Sequence, residues 1–262
     1  MRVDVALVPG EARVEPGRVL IVVDQIRAST TITAALDLGC AELLLAGDVA
    51  TARDLGRRTG SLLAGEQNAH KPTDFDFDNS PTELSTADIR GRRLVLCTTN
   101  GTAVMGRLLE GDHVLVGCLR NARAVAAASI RLADAGGRGG DIQVVCAGSV
   151  GRFVLDDAVA AGAIVGRIVE HGRAAGRAVE LTDAATAAVR IRASYPDLLA
   201  AMADSDGGAT LREIGRAEDI AFCAEEDASG TVPYLVPGGL MRIAVLPAAG
   251  GGHAIDTAAG DV

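Results

Sequence analysis

Four clusters of polar residues stand where apolar runs end, and they set out the chemistry open to this 262-residue chain. The first is Asp24 with Arg27, Ala28, Ser29, Thr30 and Thr31, after the apolar run Val19 to Val23. A carboxylate suits a hard cation, whereas an arginine and the free N–H groups of a helix start suit an anion. The second cluster is Gly65-Glu66. The third, Thr98-Thr99-Asn100-Gly101-Thr102, places hydroxyls, an amide and exposed N–H groups at a helix start, a natural phosphate cradle. It lacks the GK[ST] of a nucleotide P-loop. The fourth, Cys146 to Arg152, has the C-x5-R spacing of cysteine-dependent phosphatases. There Cys146 would be a thiolate nucleophile, with Arg152 and the loop amides from Gly148 to Gly151 holding phosphate. Val145 stands where those enzymes carry histidine. Asp156 and Asp157 then open the next helix, where the dipole alone favours acids by about 0.3–1 kcal/mol each. Adjacent helical residues point about 100° apart, so at most one of the two faces a site well.

Each cluster also has a plain structural reading: an ion pair, an N-cap, an ordinary loop, a small buried cysteine. Four together on the carboxyl edge of one parallel sheet point to a shared ligand crevice. Two other patterns fail. Asp74-Phe75-Asp76-Phe77-Asp78 has the acids of a calcium loop, but Asn79 stands at the glycine position and Ser85 at that of the bidentate Glu. Nor does it follow the apolar strand that an aspartyl-nucleophile motif needs.

The elements that must position these clusters follow from hydrophobic patterning. Val3 to Val8, Val19 to Val23, Glu42 to Ala46, Ser61 to Ala64, Arg92 to Cys97, His113 to Gly117 and Ile142 to Cys146 read as strands. Helical patterns separate most of them. Asp48 caps one helix and Gly60 closes it; Ser80-Pro81-Thr82-Glu83 is a capping box; Asn121 can cap an Ala-rich helix to about Ala135; Leu155 to His171 is another. The expected fold is therefore α/β: three α/β/α layers around a mainly parallel sheet, with mixed pairing left open. The C-terminal third is more helical, with late strands at Thr231 to Val236 and Ile243 to Leu246. A single domain over 1–247 is expected, with a subdomain boundary near 172–182 left open and a flexible Gly/Ala-rich tail over 248–262.

Composition narrows the partners. The net charge is −9, which argues against nucleic acid and anionic membranes. Hydrophobic residues make up 48% but aromatics only 2%, so the core must be built from Val, Leu, Ile and Ala. The five cysteines form no CxxC and no paired framework, and no secretory signal or membrane-span pattern is visible, so a reducing cytoplasm is expected. A homo-oligomer is compatible with all of this.

In order and spacing, the motifs resemble the 2-phosphosulfolactate phosphatase family. They are Asp24-Gln25-Ile26-Arg27-Ala28-Ser29-Thr30-Thr31, Gly65-Glu66, Phe75-Asp76-Phe77-Asp78-Asn79-Ser80-Pro81, Thr98 to Thr102, and Cys146 to Gly151 with Asp156-Asp157. Three positions depart from the family pattern. Gln67 replaces an Arg, Asp78 a glycine and Asp156 a Glu, changing the charge offered to the substrate's acid groups. The resemblance implies a Mg²⁺-dependent phosphatase with an α/β/α fold, hydrolysing 2-phospho-3-sulfolactate on the route to coenzyme M. On that reading Asp24, Glu66 and Asp157 are candidate Mg²⁺ ligands. Arg27 and Arg152 clamp the substrate, and Asp24 or Asp156 orients the attacking water, with a direct aspartyl nucleophile left open. Ser29, Thr30, Asn79, Ser80, Thr98, Thr99, Asn100, Gly101, Thr102, Asn121, Gly148 and Gly151 contact the small anionic phosphoester. The competing readings are a metal-independent phosphatase built on Cys146 and Arg152, and a non-catalytic binder of phosphorylated or sulfonated metabolites.

Overall fold

Branched aliphatic residues build the centre of the molecule. In the computed structural model of the chain, which describes residues 1–135, 140–238 and 240–247, strand β2 (Val19–Val23) is buried throughout. Its side chains alternate between two cores. Val19, Ile21 and Val23 join one apolar cluster, Leu20 and Val22 another on the opposite face. An apolar strand with both faces occupied must lie inside a sheet covered on both sides.

The strands are β1 (Arg2–Ala6), β2, β3 (Glu42–Ala46), β4 (Leu62–Gly65), β5 (Arg93–Cys97), β6 (His113–Gly117), β7 (Ile142–Cys146), β8 (Glu180–Leu181), β9 (Pro233–Val236) and β10 (Arg242–Val245). The helices are α1 (Ala28–Asp37), α2 (Val49–Thr59), α3 (Pro81–Ser85), α4 (Gly101–Arg107), α5 (Ala122–Ala135), α6 (Leu155–Ala174), α7 (Asp183–Ser194), α8 (Leu198–Asp204), α9 (Asp206–Glu213) and α10 (Glu218–Cys223). The sheet order is β4-β5-β3-β10-β9-β6-β2-β7-β1-β8. It contains two parallel blocks, β4-β5-β3 and β6-β2-β7-β1-β8, with the antiparallel hairpin β9-β10 between them. The sheet is mixed, and its antiparallel members come from the C-terminal end of the chain. Buried residues of α5, α6 and α7 cover one face; Ile32 and Ala35 of α1, with Val104 and Met105 of α4, cover the other. The fold is α/β.

Local signals act as expected at several ends. Asp48 accepts the N–H of Thr51 at 2.8 Å and Gly60 closes α2 in the left-handed region, φ 66°. Ser80 accepts the N–H of Glu83 at 3.1 Å, but the Glu83 carboxylate accepts from Asp78 rather than from Ser80, so only half of the capping box forms. One apolar cluster runs from Val3 through Ala185, Met202 and Leu211 to Leu246, on both sides of 172–182. The tail over 248–262 lies outside the described residues. Among the described residues no helix is long and apolar enough to cross a membrane.

Candidate active site

The strand-end clusters meet in one cleft of about 280 Å³. Asp24 after β2, Glu66 after β4, Thr99 and Asn100 after β5, Gly148 after β7, and Asp156 and Asp157 at the start of α6 all line it, with Arg27 and Asn79. The two parallel blocks are joined here by α4. A Cβ on its first residue, Gly101, would stand 2.7 Å from Asp24 Oδ2 and 2.7 Å from Ala28 Cβ.

The loop amides expected to cradle an anion hold the protein's own carboxylates instead. Asp24 Oδ1 accepts the N–H of Ala28 at 3.1 Å. Asp157 accepts from Gln25 and Gly148, each at 2.8 Å. Glu66 accepts from the Ala69 N–H at 2.7 Å, the Thr99 N–H at 2.6 Å and the Thr99 hydroxyl at 2.8 Å. Three acids are thus fixed by fold-level hydrogen bonds. Asp156, 2% exposed, differs: its Oδ1 has no partner, nor has Asn79 Oδ1, and both residues line the cleft.

Acids packed this closely and buried resist ionisation. Burial, followed by Asp156 and Glu66, raises the Asp24 carboxyl to about 7 against the pull of its amides. Burial raises Asp156 to about 6. Burial, then Asp156 and Asp24, pushes Asp157 well above the carboxylate range. A bound cation reverses this logic, because it favours the ionised forms. Among the described residues no three His, Cys, Asp or Glu side chains are arranged to enclose a metal ion by themselves. The oxygen donors do fit the open kind of site that magnesium takes, in which one or two carboxylates share the ion with water and substrate oxygens.

Arg27 is the cleft's cation among the described residues, and it is held from behind. Its guanidinium, 4% exposed, bonds Asp219 at 2.8 Å and Asp78 at 3.3 Å. Asp78 is shared with Arg216 at 3.1 Å, and Arg216 also bonds Glu83 at 3.0 Å. Asp219, fully buried, also accepts from Ser80 Oγ at 2.8 Å and from the Thr82 hydroxyl. The acid at position 78 therefore carries its own counter-charges. The peptide between Ile26 and Arg27 is cis.

Other expected contacts lie away from the cleft lining. Ser29, Thr30 and Thr31 are not a loop but the first turn of α1, fully buried. Ser29 Oγ accepts the Asp24 N–H at 2.9 Å and Thr30 Oγ1 donates to the Gln25 carbonyl at 2.9 Å, so these hydroxyls knit the β2–α1 turn. Thr98 and Thr102 satisfy one another, and Ser80 caps α3. Asn121 ties the end of β6 to Thr231, through Val116 and Thr231 carbonyls at 3.1 Å each. Arg152 is exposed, and neither it nor Gly151 lines the cleft, although the loop between them and Asn100 is joined at the rim by Val150 N–H to Asn100 Oδ1, 3.0 Å. Cys146 is 1% exposed at the end of β7; burial, then Asp157 and Asp156, raises its thiol well above the usual range. A protonated thiol outside the cleft is no nucleophile, which argues against the cysteine reading. Gln67 also lies outside, in a shallow surface groove with His70 and Lys71.

The opposite wall had no sequence signal. Asp206, Gly207, Thr210 and Leu211 of α9, with Ile214, close the cleft, and Asn68 and Val150 stand at it. Asp206-Gly207-Gly208 reads as a turn in the sequence, and Arg216 and Asp219 look like solvated surface charges.

Comparison with known proteins agrees with this geometry. The family model for 2-phosphosulpholactate phosphatase matches residues 6–238. A protein of Thermus thermophilus called probable 2-phosphosulfolactate phosphatase is 36% identical over 236 residues, 90% of this chain and 94% of that one. Proteins of the same name from Deinococcus radiodurans and Thermotoga petrophila are 36% and 35% identical, each over 84% of this chain and over 88% and 90% of their own lengths. The spacing of motifs, the cleft they build and the near-full-length match agree: the chain belongs to the 2-phosphosulfolactate phosphatase family.

Proposed function

We propose that this chain hydrolyses a small phosphate monoester with Mg²⁺ as its cofactor. 2-Phospho-3-sulfolactate, named by the family and its relatives, is the reference substrate, as in a step toward coenzyme M carried out in the cytoplasm. One observation carries the reading: the strand-end amides are spent on Asp24, Glu66 and Asp157, and the cleft's arginine is matched by Asp78 and Asp219. Such a site offers a phosphate no uncompensated positive charge until a cation is present. The uncatalysed reaction also demands accelerations up to about 10²¹-fold, beyond what one compensated arginine supplies.

Of Asp24, Glu66 and Asp157, one or two would hold the ion together with water and phosphate oxygens, each already oriented and with lone pairs to spare. When bound, Mg²⁺ supplies positive charge for the phosphate oxygens and lowers the pKa of water beside it. The buried, unpartnered Asp156 Oδ1 accepts the proton of the attacking water. Arg27, fixed in position by its two acids, donates to the phosphoryl oxygens. Thr99 and Asn100 orient the ester at the rim, and Val154 with α9 screens it from bulk water.

The test is inorganic phosphate release with and without Mg²⁺. Turnover should require the ion and vanish with EDTA, while Asp24→Asn should lower kcat/KM by about 10³-fold or more, the scale of several kcal/mol of charge stabilisation. Turnover that survives EDTA, or that is lost in Cys146→Ser, refutes the proposal. Ligand binding without phosphate release would mark a binder instead.

A further inference from the structure

Arg27 lines the cleft with two buried acids behind it, and they hold it unequally. Asp219 stands 2.8 Å from Nη1. Asp78 is farther, 3.3 Å from Nη2 and 3.5 Å from Nη1. A second cation, Arg216, meets Asp78 more closely than Arg27 does, with its Nε at 3.1 Å. The Asp78 carboxylate also accepts the Asn79 N–H at 2.7 Å. One acid outside the lining therefore aligns two residues that line the cleft, Arg27 and Asn79, and Arg216 holds that acid.

Local structure delivers Arg216 to this place. Gly215, φ 74°, ends α9 in the left-handed region. Its N–H bonds the Arg212 carbonyl at 3.3 Å, and the Arg216 N–H reaches back to the Leu211 carbonyl at 2.7 Å, the pairing of a Schellman turn. Past the turn, the Arg216 carbonyl accepts the Asp219 N–H at 3.1 Å. Residue 216 thus fixes both acids on Arg27, Asp78 through its side chain and Asp219 through its backbone. A substitution there removes the first tie and leaves the second.

Arg216 also bonds Glu83 at 3.0 Å and has Glu218 at 3.8 Å. Glu83 is half-buried and Glu218 exposed, so water screens both, whereas Asp78 is buried. The charge of Arg216 acts mainly on Asp78. Without it Arg27 stands alone between two acids, and its donors close on Asp78 rather than on a ligand. We infer that Arg216, which does not line the cleft, is a positioning residue for the reaction: by drawing Asp78 to itself it leaves Arg27 free to donate to the phosphoryl group. The ligand that Arg27 meets rests on the phosphomonoesterase reading above.

Two measurements with Mg²⁺ present test this: steady-state hydrolysis of 2-phospho-3-sulfolactate, and calorimetric titration with inorganic phosphate, which needs no turnover. Arg216→Gln should weaken phosphate binding and raise KM by about tenfold each, the lower end of what a hydrogen bond to a charged group carries, with kcat changed less. Arg216→Lys keeps the charge and should recover most of both. Adding Asp78→Asn to Arg216→Gln removes the acid on which Arg27 would close, and should return phosphate affinity to within about threefold of wild type. A merely structural role predicts the reverse, a double variant worse than either single one. Asp78→Asn alone keeps an oxygen for the Asn79 N–H and should bind phosphate at least as tightly as wild type; weaker binding overturns the inference even if Arg216→Gln does not fold. A loss below about threefold in Arg216→Gln, or a double variant that recovers nothing, overturns it too. A wild type that binds phosphate but does not hydrolyse the ester removes the functional reading, while the phosphate affinities still decide the role of Arg216. A wild type that does neither removes both.

Discussion

Arg27 owes its position to Asp219, and that dependence can be measured. The guanidinium and the carboxylate are both buried, and Asp219 also receives Ser80 Oγ and the Thr82 hydroxyl. Removing one partner of a buried ion pair costs about 3–5 kcal/mol, because the other charge is left without a counter-ion. Asp78 still faces Arg27 at 3.3 Å, which places Asp219→Ala at the lower end of that range. Urea unfolding should show the loss as a shifted midpoint with an unchanged slope. A change within about 0.5 kcal/mol, typical of a surface substitution, would contradict the buried network. Cys146→Ser makes the opposite case. The side chain is buried beside the site, so the hydroxyl costs about 1–3 kcal/mol of stability. Turnover should persist, because the thiol stands outside the cleft lining.

At the scale of elements, the close approach of α4 to the end of β2 is what brings the two parallel blocks to one site. Gly101 permits it. An added methyl would lie 2.7 Å from Asp24 Oδ2 and 2.7 Å from Ala28 Cβ, inside contact distance. Gly101→Ala must therefore displace the carboxylate or push α4 away. Misplacement of a catalytic group by about 1 Å costs on the order of 10²-fold. The variant should lose about that factor in kcat/KM while its far-ultraviolet circular dichroism stays native; wild-type kinetics would show that Asp24 tolerates the shift. The same junction shows what could be read from sequence. Val19 to Val23 and Asp24 were legible because a β-branched run ending in an acid has one sensible place in an α/β sheet. Ser29 and Thr30 read as substrate contacts because hydroxyls after a strand-end acid resemble a ligand site. The helix starts earlier because these hydroxyls bond the Asp24 N–H and the Gln25 carbonyl, a local satisfaction that composition does not reveal. The loop amides misled in the same way. An N–H at a helix start announces an anion, and in this protein the anions are its own Asp24, Glu66 and Asp157. The insertion of β9-β10 between two parallel blocks was invisible, since strand patterning carries no information on pairing order.

For the whole molecule, the acidic cleft is a destabilising feature whose strength depends on pH. The carboxyls of Asp24 and Asp156 are raised to about 7 and about 6 in the folded chain, against 3.8 for the free groups. Between these values the folded state binds more protons than the unfolded state, so stability falls as pH rises. It is fully present below about pH 4 for these groups and lost once pH has passed through 6 to 7. Most acid–base pairs in proteins act the other way, through carboxylates whose folded pKa is depressed. The Asp4 carboxyl, lowered by Thr182 and Gln143 against burial, is one such group and weakens the fold only in acid. The metal-free protein should thus show a melting temperature that declines between about pH 5 and pH 8. Magnesium should oppose this at the upper end, because it selects the ionised carboxylates. At a hundred times its dissociation constant a ligand adds about 2.7 kcal/mol, which for a chain of this size is about 5–10 °C. At pH 5 the protons hold the site and the same magnesium concentration should add little. Calorimetry suits the measurement, since the chain has no tryptophan. A melting temperature that climbs from pH 5 to 8 without metal, or a magnesium shift equal at both ends, would mean that the cleft's acids are already ionised without a cation. The electrostatic argument for a metal site would then fail.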